Sequence, residues 1–314
     1  MRTFTTRCTA DGHTGTLARM KIVAIGEVLW DVIGREEHLG GATFNFAAHA
    51  RILGHDVGFV SGVGEDDRGR GILRRMEEMK LSARNVARVA DQPTGYVTVA
   101  VSAGGQPSYI LHRPVAYHFP SLSDESFTAL VAPAPDWIYF GSLTFMSEQA
   151  KSLLFQLLDA APTARRYCDI NLRHNCHTPE LLDELMARAT IMKLSDLEID
   201  EMAHIFGHPH LTFENFARAY AEKYSWEGVI ITRGAEGCVV LLDGRYFEVS
   251  GIPVKVADAI GAGDAFSAAF VHGLSAGWSP EETAAFANRV GALVASRPGA
   301  IPKWSLADLS SIES

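Results

Sequence analysis

Residues 258–264 read Asp258-Ala-Ile-Gly-Ala-Gly-Asp264 and run at once into a long apolar pattern with helical spacing. Two glycines let a backbone turn tightly and come close to a ligand. The residues that follow open a helix, whose free N–H groups and positive dipole end attract an anion. A carboxylate on that same turn would repel an anion that is merely bound. It makes sense if Asp264 takes a proton from a hydroxyl that then attacks a phosphate held by the backbone. The plainer alternative is an Asp capping a helix after a glycine-rich loop.

Other stretches carry residues of the same chemical kind. Gly40-Gly41 precedes a helical pattern and places close-approach backbone beside Asn45, which could grip hydroxyls of a polar ligand or simply sit on the helix surface. Asp31 follows the first strand pattern, where a carboxylate at the ligand crevice of a parallel sheet suits sugar hydroxyls. Asp169-Ile-Asn171-Leu-Arg173 ends another strand. Alternation in an extended chain puts Asp169, Asn171 and Arg173 on one side, with Arg173 either a phosphate clamp or the ion-pair partner of Asp169. Thr232-Arg233-Gly234-Ala-Glu-Gly237 is a glycine-punctuated turn between strands that could let a nucleotide approach.

These residues need a scaffold, and the periodicity supplies one. Strand patterns cover Lys21–Gly26, Val57–Val63, Trp137–Gly141, Arg166–Ile170, Thr190–Lys193 and Gly228–Thr232. Helical patterns cover Thr43–Leu53, Arg68–Lys80, Ser147–Ala160, Pro179–Ala189, Leu197–Phe206 and Phe213–Tyr224, with Asp264–Ala276 and Pro280–Ser296 near the end. Such alternation predicts an α/β fold with a mostly parallel sheet between helical layers. Gly237–Leu242 and Arg245–Val249 read as a hairpin about Asp243-Gly244. Thr94–Ala103 and Pro107–Arg113, joined by Gly104-Gly105, form a second strand–turn–strand unit: a lid, a dimer contact or an extension of the main sheet.

The chain has 314 residues, a net charge of −9, 47% hydrophobic and 21% charged residues. That composition suits one large globular domain and argues against nucleic acid as the main partner. No apolar run reaches the roughly 20 residues that span a bilayer. Four scattered cysteines with no C-x-x-C pair indicate neither a zinc site nor a disulfide framework, and suggest a cytoplasmic home. The histidines show no metal-ligand spacing, and His174 and His177 read as surface residues. Residues 1–19 differ in composition and are expected to be a disordered extension before a domain over 20–314. Gly62-Val-Gly64 is followed by Glu65, Asp66 and Asp67, which would repel a pyrophosphate, so a dinucleotide fingerprint is rejected. The chain contains no Gly-Lys dipeptide and so no P-loop.

Taken together, Gly40-Gly41-Ala-Thr-Phe-Asn45-Phe-Ala-Ala and Asp258–Asp264 resemble the two signatures of the PfkB family of carbohydrate kinases, in the right order and separation. The resemblance spans about residues 20–305. It implies a ribokinase-like three-layer sandwich with a mostly parallel central sheet and a small β lid, built from about 32–39 and 94–113. It further implies that Asp264 is the general base and that Gly261, Ala262 and Gly263 form an anion hole. Asp31, Gly41 and Asn45 would hold the sugar, with Arg113, Asn171 and Arg173 beside it. Thr232, Gly234 and Gly237 would lie against ATP, and Asn288 near the adenine. Glu198 would order water around Mg²⁺, and Asp258 would stand near a monovalent cation such as K⁺. In many relatives the lid also pairs two copies as a homodimer.

The sequence departs from the family pattern at two places. Ala259 replaces a Thr, and Ser195-Asp-Leu-Glu198 replaces Asn-x-x-Glu. The activity so implied is ATP- and Mg²⁺-dependent phosphorylation of a primary hydroxyl on a small sugar, with fructose first. Ribose, 2-keto-3-deoxygluconate and a nucleoside are the alternative acceptors. A catalytically silent sugar sensor is the alternative from another class.

Overall fold

The structure, a computed structural model, describes residues 19–101, 107–173, 176–207 and 211–312. Residues 1–18, the Gly104-Gly105 turn and His174 lie outside the described residues. Strands β1 (Lys21–Ile25), β2 (Leu29–Ile33) and β3 (Glu36–Gly40) precede helix α1 (Ala42–Ile52). Then come β4 (Asp56–Gly64), α2 (Asp67–Glu78), β5 (Val86–Val89), β6 (Tyr96–Val101), β7 (Pro107–Leu111) and α3 (Asp124–Val131). The middle of the chain holds β8 (Trp137–Gly141), α4 (Glu148–Ala160), β9 (Arg165–Asp169), α5 (Pro179–Met186), β10 (Ile191–Ser195), α6 (Asp196–Phe206) and α7 (Phe213–Tyr224). It ends with β11 (Gly228–Thr232), the hairpin β12 (Cys238–Leu242) and β13 (Arg245–Val249), and helices α8 (Ala262–Ser275) and α9 (Pro280–Ala295).

The large sheet has the order β13-β12-β11-β10-β9-β8-β1-β4-β5. Pairings from β5 through β11 are parallel, and the β12–β13 hairpin adds an antiparallel edge. The inner parallel strands are largely apolar on both faces because each face meets helices. In β1, Ile22 and Ala24 pack with α1, α2, α8 and α9, while Val23 and Ile25 pack with the opposite layer, α3 to α7. In β8, Trp137 and Tyr139 take the first side, and Ile138 and Phe140 the second. This period of two decides which strand side chains can reach α1 and α8.

The excursion in the chain is neither an edge extension nor a lone hairpin. Strands β2, β3, β6 and β7 form a separate sheet of order β3-β2-β6-β7. Two of its strands, β2 and β3, come from a segment where the sequence offers only Asp31 and a short piece of lid. Both are only five residues long and β3 is mostly polar, so periodicity does not reveal them; β6 gives β2 its parallel partner. Asp31 therefore does not follow the first strand of the main sheet. It lies within β2, paired with His38 of β3. Helix α3 and strand β5 are likewise not apparent from the sequence pattern.

From β1 the chain winds outward through β4 to β5, then returns to the other side of β1 and proceeds through β8, β9, β10 and β11. The strand order thus reverses between β1 and β8. A crevice opens at the carboxyl ends of strands at such a switch point. A recess there is lined by Glu27, Thr43, Tyr139, Ser142, Asp169 and Asn171.

Candidate active site

Helix α8 begins earlier than its apolar pattern suggests. Gly261 is its N-cap, so Ala262, Gly263 and Asp264 form the first turn rather than a preceding loop. First-turn N–H groups have no partner within the helix and suit an anion; that of Ala262 donates, across a long 3.4 Å, to the Ala259 carbonyl oxygen of the preceding loop. Gly261 has φ 81°, and a Cβ there would stand 2.3 Å from the Ala300 carbonyl oxygen. Only glycine meets both conditions, so the turn can lie directly on the loop after α9.

Asp264 stands on this turn beneath α1. Asn45 Nδ2 donates to Asp264 Oδ2 across 2.8 Å, while Asn45 Oδ1 is buried without a protein partner. Burial pushes the Asp264 carboxyl up to about 7, helped by the negative charge of Asp169. The Asn45 hydrogen bond and the Lys193 charge act in the opposite direction. A carboxylate tuned to near neutrality can accept a proton from a hydroxyl and release it again.

Asp169 departs furthest from the expectation raised by the sequence. Its partner is Lys193, not Arg173. The two residues are register partners on the parallel strands β9 and β10, on the face toward α1 and α8. Lys193 Nζ lies 3.0 Å from Asp169 Oδ1 and 3.0 Å from Oδ2. Ser267 Oγ of α8 also donates to Asp169 Oδ2, across 3.2 Å. Burial alone would lower the Lys193 ammonium, but Asp169, Glu198 and Asp264 outweigh it and hold the group charged. A Cβ on Gly263 would come within 3.3 Å of Lys193 Nζ, so the ammonium sits immediately behind the first turn of α8. A lysine in the otherwise apolar run of β10 is the available signal, since a buried charge is rare without a partner.

The expected alternation after β9 also fails. Asn171 has φ 44°, which breaks the extended chain and turns Arg173 away from Asp169. Arg173 Nη1 instead donates to the Leu172 carbonyl at 3.0 Å, and its charge acts on Glu27 and Asp31. Asn171 is half-buried beside the recess, with its carbonyl accepting from Ser142 Oγ. Arg113 lies near Met146, with Nη1 3.9 Å from Sδ. Neither Arg113 nor Arg173 forms an ion pair within 4.0 Å among the described residues. Asp31 is half-buried in the second sheet; burial pushes its carboxyl up, and the charges of Arg173 and His38 act in the opposite direction.

Glu27 is a further site residue, one that no motif singles out. It is 3% exposed, and its carboxylate accepts from Thr43 N and Thr43 Oγ1 at 3.3 and 2.9 Å. A carboxylate at the start of α1 satisfies first-turn donors there, a task that no side chain of Gly41 could perform. Gly41 itself has φ 106°, and a Cβ would press on the Glu27 carbonyl at 2.8 Å.

The remaining candidates lie along the carboxyl ends of β10 and β11 and the edges of α8 and α9. Ser195 and Thr232 are register partners, and Thr232 Oγ1 donates to the Leu194 carbonyl. Gly234 opens a short 3-10 turn with φ 53°, and Gly237 closes it with φ 93°. Glu198 accepts from Leu172 N at 2.6 Å, Ser195 N at 2.6 Å and Ser195 Oγ at 2.9 Å. It therefore caps α6. Asn288 spends its Nδ2 on the Val249 and Ser250 carbonyls, tying α9 to the end of β13. Asp258 accepts from Ile260 N at 3.0 Å and Gly299 N at 3.1 Å, joining the loop before α8 to the loop after α9. His177 is not a free surface residue: its side chain is 9% exposed and faces Glu201 at 3.5 Å. Among the described residues, no group of three or more His, Cys, Asp or Glu is arranged to hold a metal ion. No helix among them is long and apolar enough to cross a membrane.

The chain is similar to known proteins over most of its length. A fructokinase of Klebsiella pneumoniae is 29% identical over 280 residues, covering 85% of this chain and 88% of that protein. The aminoimidazole riboside kinase of Salmonella typhimurium is 27% identical over 305 residues, covering 90% and 92%. The crystal structure of a fructokinase with bound ATP from Xylella fastidiosa superposes with a TM-score of 0.81 at 22% identity, covering 92% of this chain and 97% of that one. That likeness identifies the architecture as the ribokinase-like α/β fold, a mostly parallel sheet with a smaller separate sheet. The family model for pfkB family carbohydrate kinases matches residues 19–306, and the chain belongs to that family.

Proposed function

We propose that the protein transfers the γ-phosphoryl group of ATP to a primary hydroxyl of a small sugar, with fructose as the first candidate acceptor. The observation that carries the reading is the position of Asp264. One turn of one helix joins a carboxylate that titrates near 7 to the backbone N–H groups of a helix N-terminus. In this mechanism Asn45 orients Asp264, and Asp264 accepts the proton as the sugar oxygen attacks. The N–H groups of Gly261, Ala262 and Gly263 receive the charge that builds on the transferring group. Lys193, fixed by Asp169, adds positive charge behind them.

On the sugar side stand Asp31, Gly41, Asn45, Asn171, Arg113 and Arg173. Thr232, Gly234, Gly237 and Asn288 would flank the nucleotide. Mg²⁺ would arrive on the ATP phosphates and neutralise their charge, with Glu198 holding one of its waters. Asp258 and neighbouring carbonyls would suit K⁺, a cation bound together with fructose and ADP in a double mutant of a Vibrio cholerae fructokinase. The second sheet would act as a lid that excludes water from the transfer, and would join two copies if the protein dimerises.

A second reading of the acceptor has its own support. Among the described residues, Arg113 and Arg173 carry no acidic partner within ion-pair distance, so the sugar could bear a carboxylate, as 2-keto-3-deoxygluconate does. The test is ADP release from ATP and Mg²⁺ across fructose, ribose, 2-keto-3-deoxygluconate, tagatose and adenosine, with a control lacking acceptor. Strong turnover with one acceptor supports the kinase reading and names the sugar. Silence across the panel, with ATP binding measured separately, favours a sugar sensor.

A further inference from the structure

Helix α1 supports the start of α8 at two points, directly through Asn45 and indirectly through the loop after α9, and the site described above uses only the first. Asn45 reaches the Asp264 side chain. One turn later on the same face, His49 reaches the loop behind the anion hole. His49 is fully buried, and its two ring nitrogens have different partners. Trp304 Nε1 lies 3.1 Å from His49 Nδ1, and His49 Nε2 lies 3.0 Å from the Ala300 carbonyl oxygen. An indole N–H can only donate, so Nδ1 must accept, and the ring proton is on Nε2. His49 therefore donates to Ala300 in a tautomer that Trp304 fixes. Burial holds the ring neutral, pushing its basicity down to about 4.

Ala300 is the residue on which Gly261 rests: a Cβ on Gly261 would meet the Ala300 oxygen at 2.3 Å and its Cα at 2.7 Å. The His49–Ala300–Gly261 stack thus runs from the sugar helix to the N-cap of α8. Resting on the kinase reading above, we propose that His49 is a positioning residue for phosphoryl transfer. It fixes the Ala300 carbonyl so that the Gly261 turn stays aimed at the transferring group. Asn45 and His49 together make α1 the common support of the proton acceptor and of the backbone donors.

The test compares His49→Leu, which removes both hydrogen bonds, with His49→Gln, whose side-chain amide can still donate to Ala300. Small displacements of reacting groups cost up to about a hundredfold in rate. His49→Leu is expected to lower kcat by about tenfold to a hundredfold while KM for sugar and ATP changes by less than about threefold. His49→Gln is expected to recover most of the loss. Amide hydrogen exchange across residues 258–264, which needs no turnover, is expected to quicken in the Leu variant and not in the Gln variant.

Wild-type kcat and exchange in His49→Leu overturn the proposal, as does an equal loss in both variants. Should His49→Leu not yield folded protein, Trp304→Phe removes only the donor that orients the ring. Its kcat should then fall several-fold with KM little changed, and an unchanged kcat overturns the proposal. If the wild type phosphorylates no acceptor, the kinase reading fails and the exchange comparison alone decides on His49.

Discussion

Lys193 and Asp169 face one another across adjacent parallel strands, with the ammonium 3.0 Å from both carboxylate oxygens and directly behind the first turn of α8. The pair is buried, with side chains 9% and 1% exposed. Removing one member of such a pair leaves an uncompensated charge in the interior. Lys193→Met is therefore expected to cost about 3–5 kcal/mol of stability in urea denaturation. Lys193→Met combined with Asp169→Asn should regain most of that loss. If the double variant is as unstable as the single one, the pair is not coupled as described.

Asp264→Asn keeps the shape of the side chain, and its amide oxygen can still accept from Asn45. It cannot take a proton. Turnover should fall by about 10²–10⁴-fold, with ATP affinity within a few-fold of the wild type. Calorimetry and a coupled ADP assay together check this. A kcat near that of the wild type would remove Asp264 from its role.

The raised pKa of Asp264 gives a pH dependence of definite sign. The base must be ionised to act, and its carboxyl titrates near 7 in the folded protein. With ATP saturating, kcat/KM for the sugar should fall about tenfold per pH unit below about pH 6.5 and level off above about pH 8. A profile flat down to pH 5.5 contradicts the assignment.

The same shift has a consequence for folding. Asp264 is raised from 3.8 to about 7, so between those values the folded chain holds its proton more firmly than the unfolded chain. Its contribution to stability therefore declines as pH rises through that window and is constant above it. Asp264→Asn, which stays neutral, should gain thermal stability over the wild type progressively from about pH 4 to about pH 7. Parallel melting curves across this range check it, and an unchanging difference in Tm would count against the shift.

Gly261→Ala should damage the site through the backbone alone. The residue has φ 81°, and the added methyl would press on Ala300. Backbone strain of this kind costs on the order of 1–3 kcal/mol before any clash is counted. Turnover should be lost together with stability. Gly277→Ala, at φ 72° with open space around it, provides the control for strain without the clash. Equal activity loss in both variants would show that the contact with Ala300 does not matter.

Much of this architecture is decided by local chemistry and is legible along the chain. Strands buried on both faces appear as apolar runs, and amphipathic helices as runs with helical spacing, because each pattern follows from which neighbours an element must meet. Trp137–Gly141, Gly228–Thr232 and Phe213–Tyr224 form the elements expected of them, to the residue. Gly261 is legible for the same reason: a turn with positive φ that opens a helix demands glycine. Tertiary structure decided what depends on partners distant in sequence. Whether Asp169 meets Arg173 or Lys193 turned on the φ of Asn171 and on the register of β9 against β10. Asp31 belongs to a second sheet only because β6, far along the chain, pairs with β2. His49, Ala300 and Trp304 come from opposite ends of the molecule and meet only where α1 packs beside α8. Buried charges and tautomers are chosen by whichever donors and acceptors the fold brings within about 3 Å, and no local pattern records that choice.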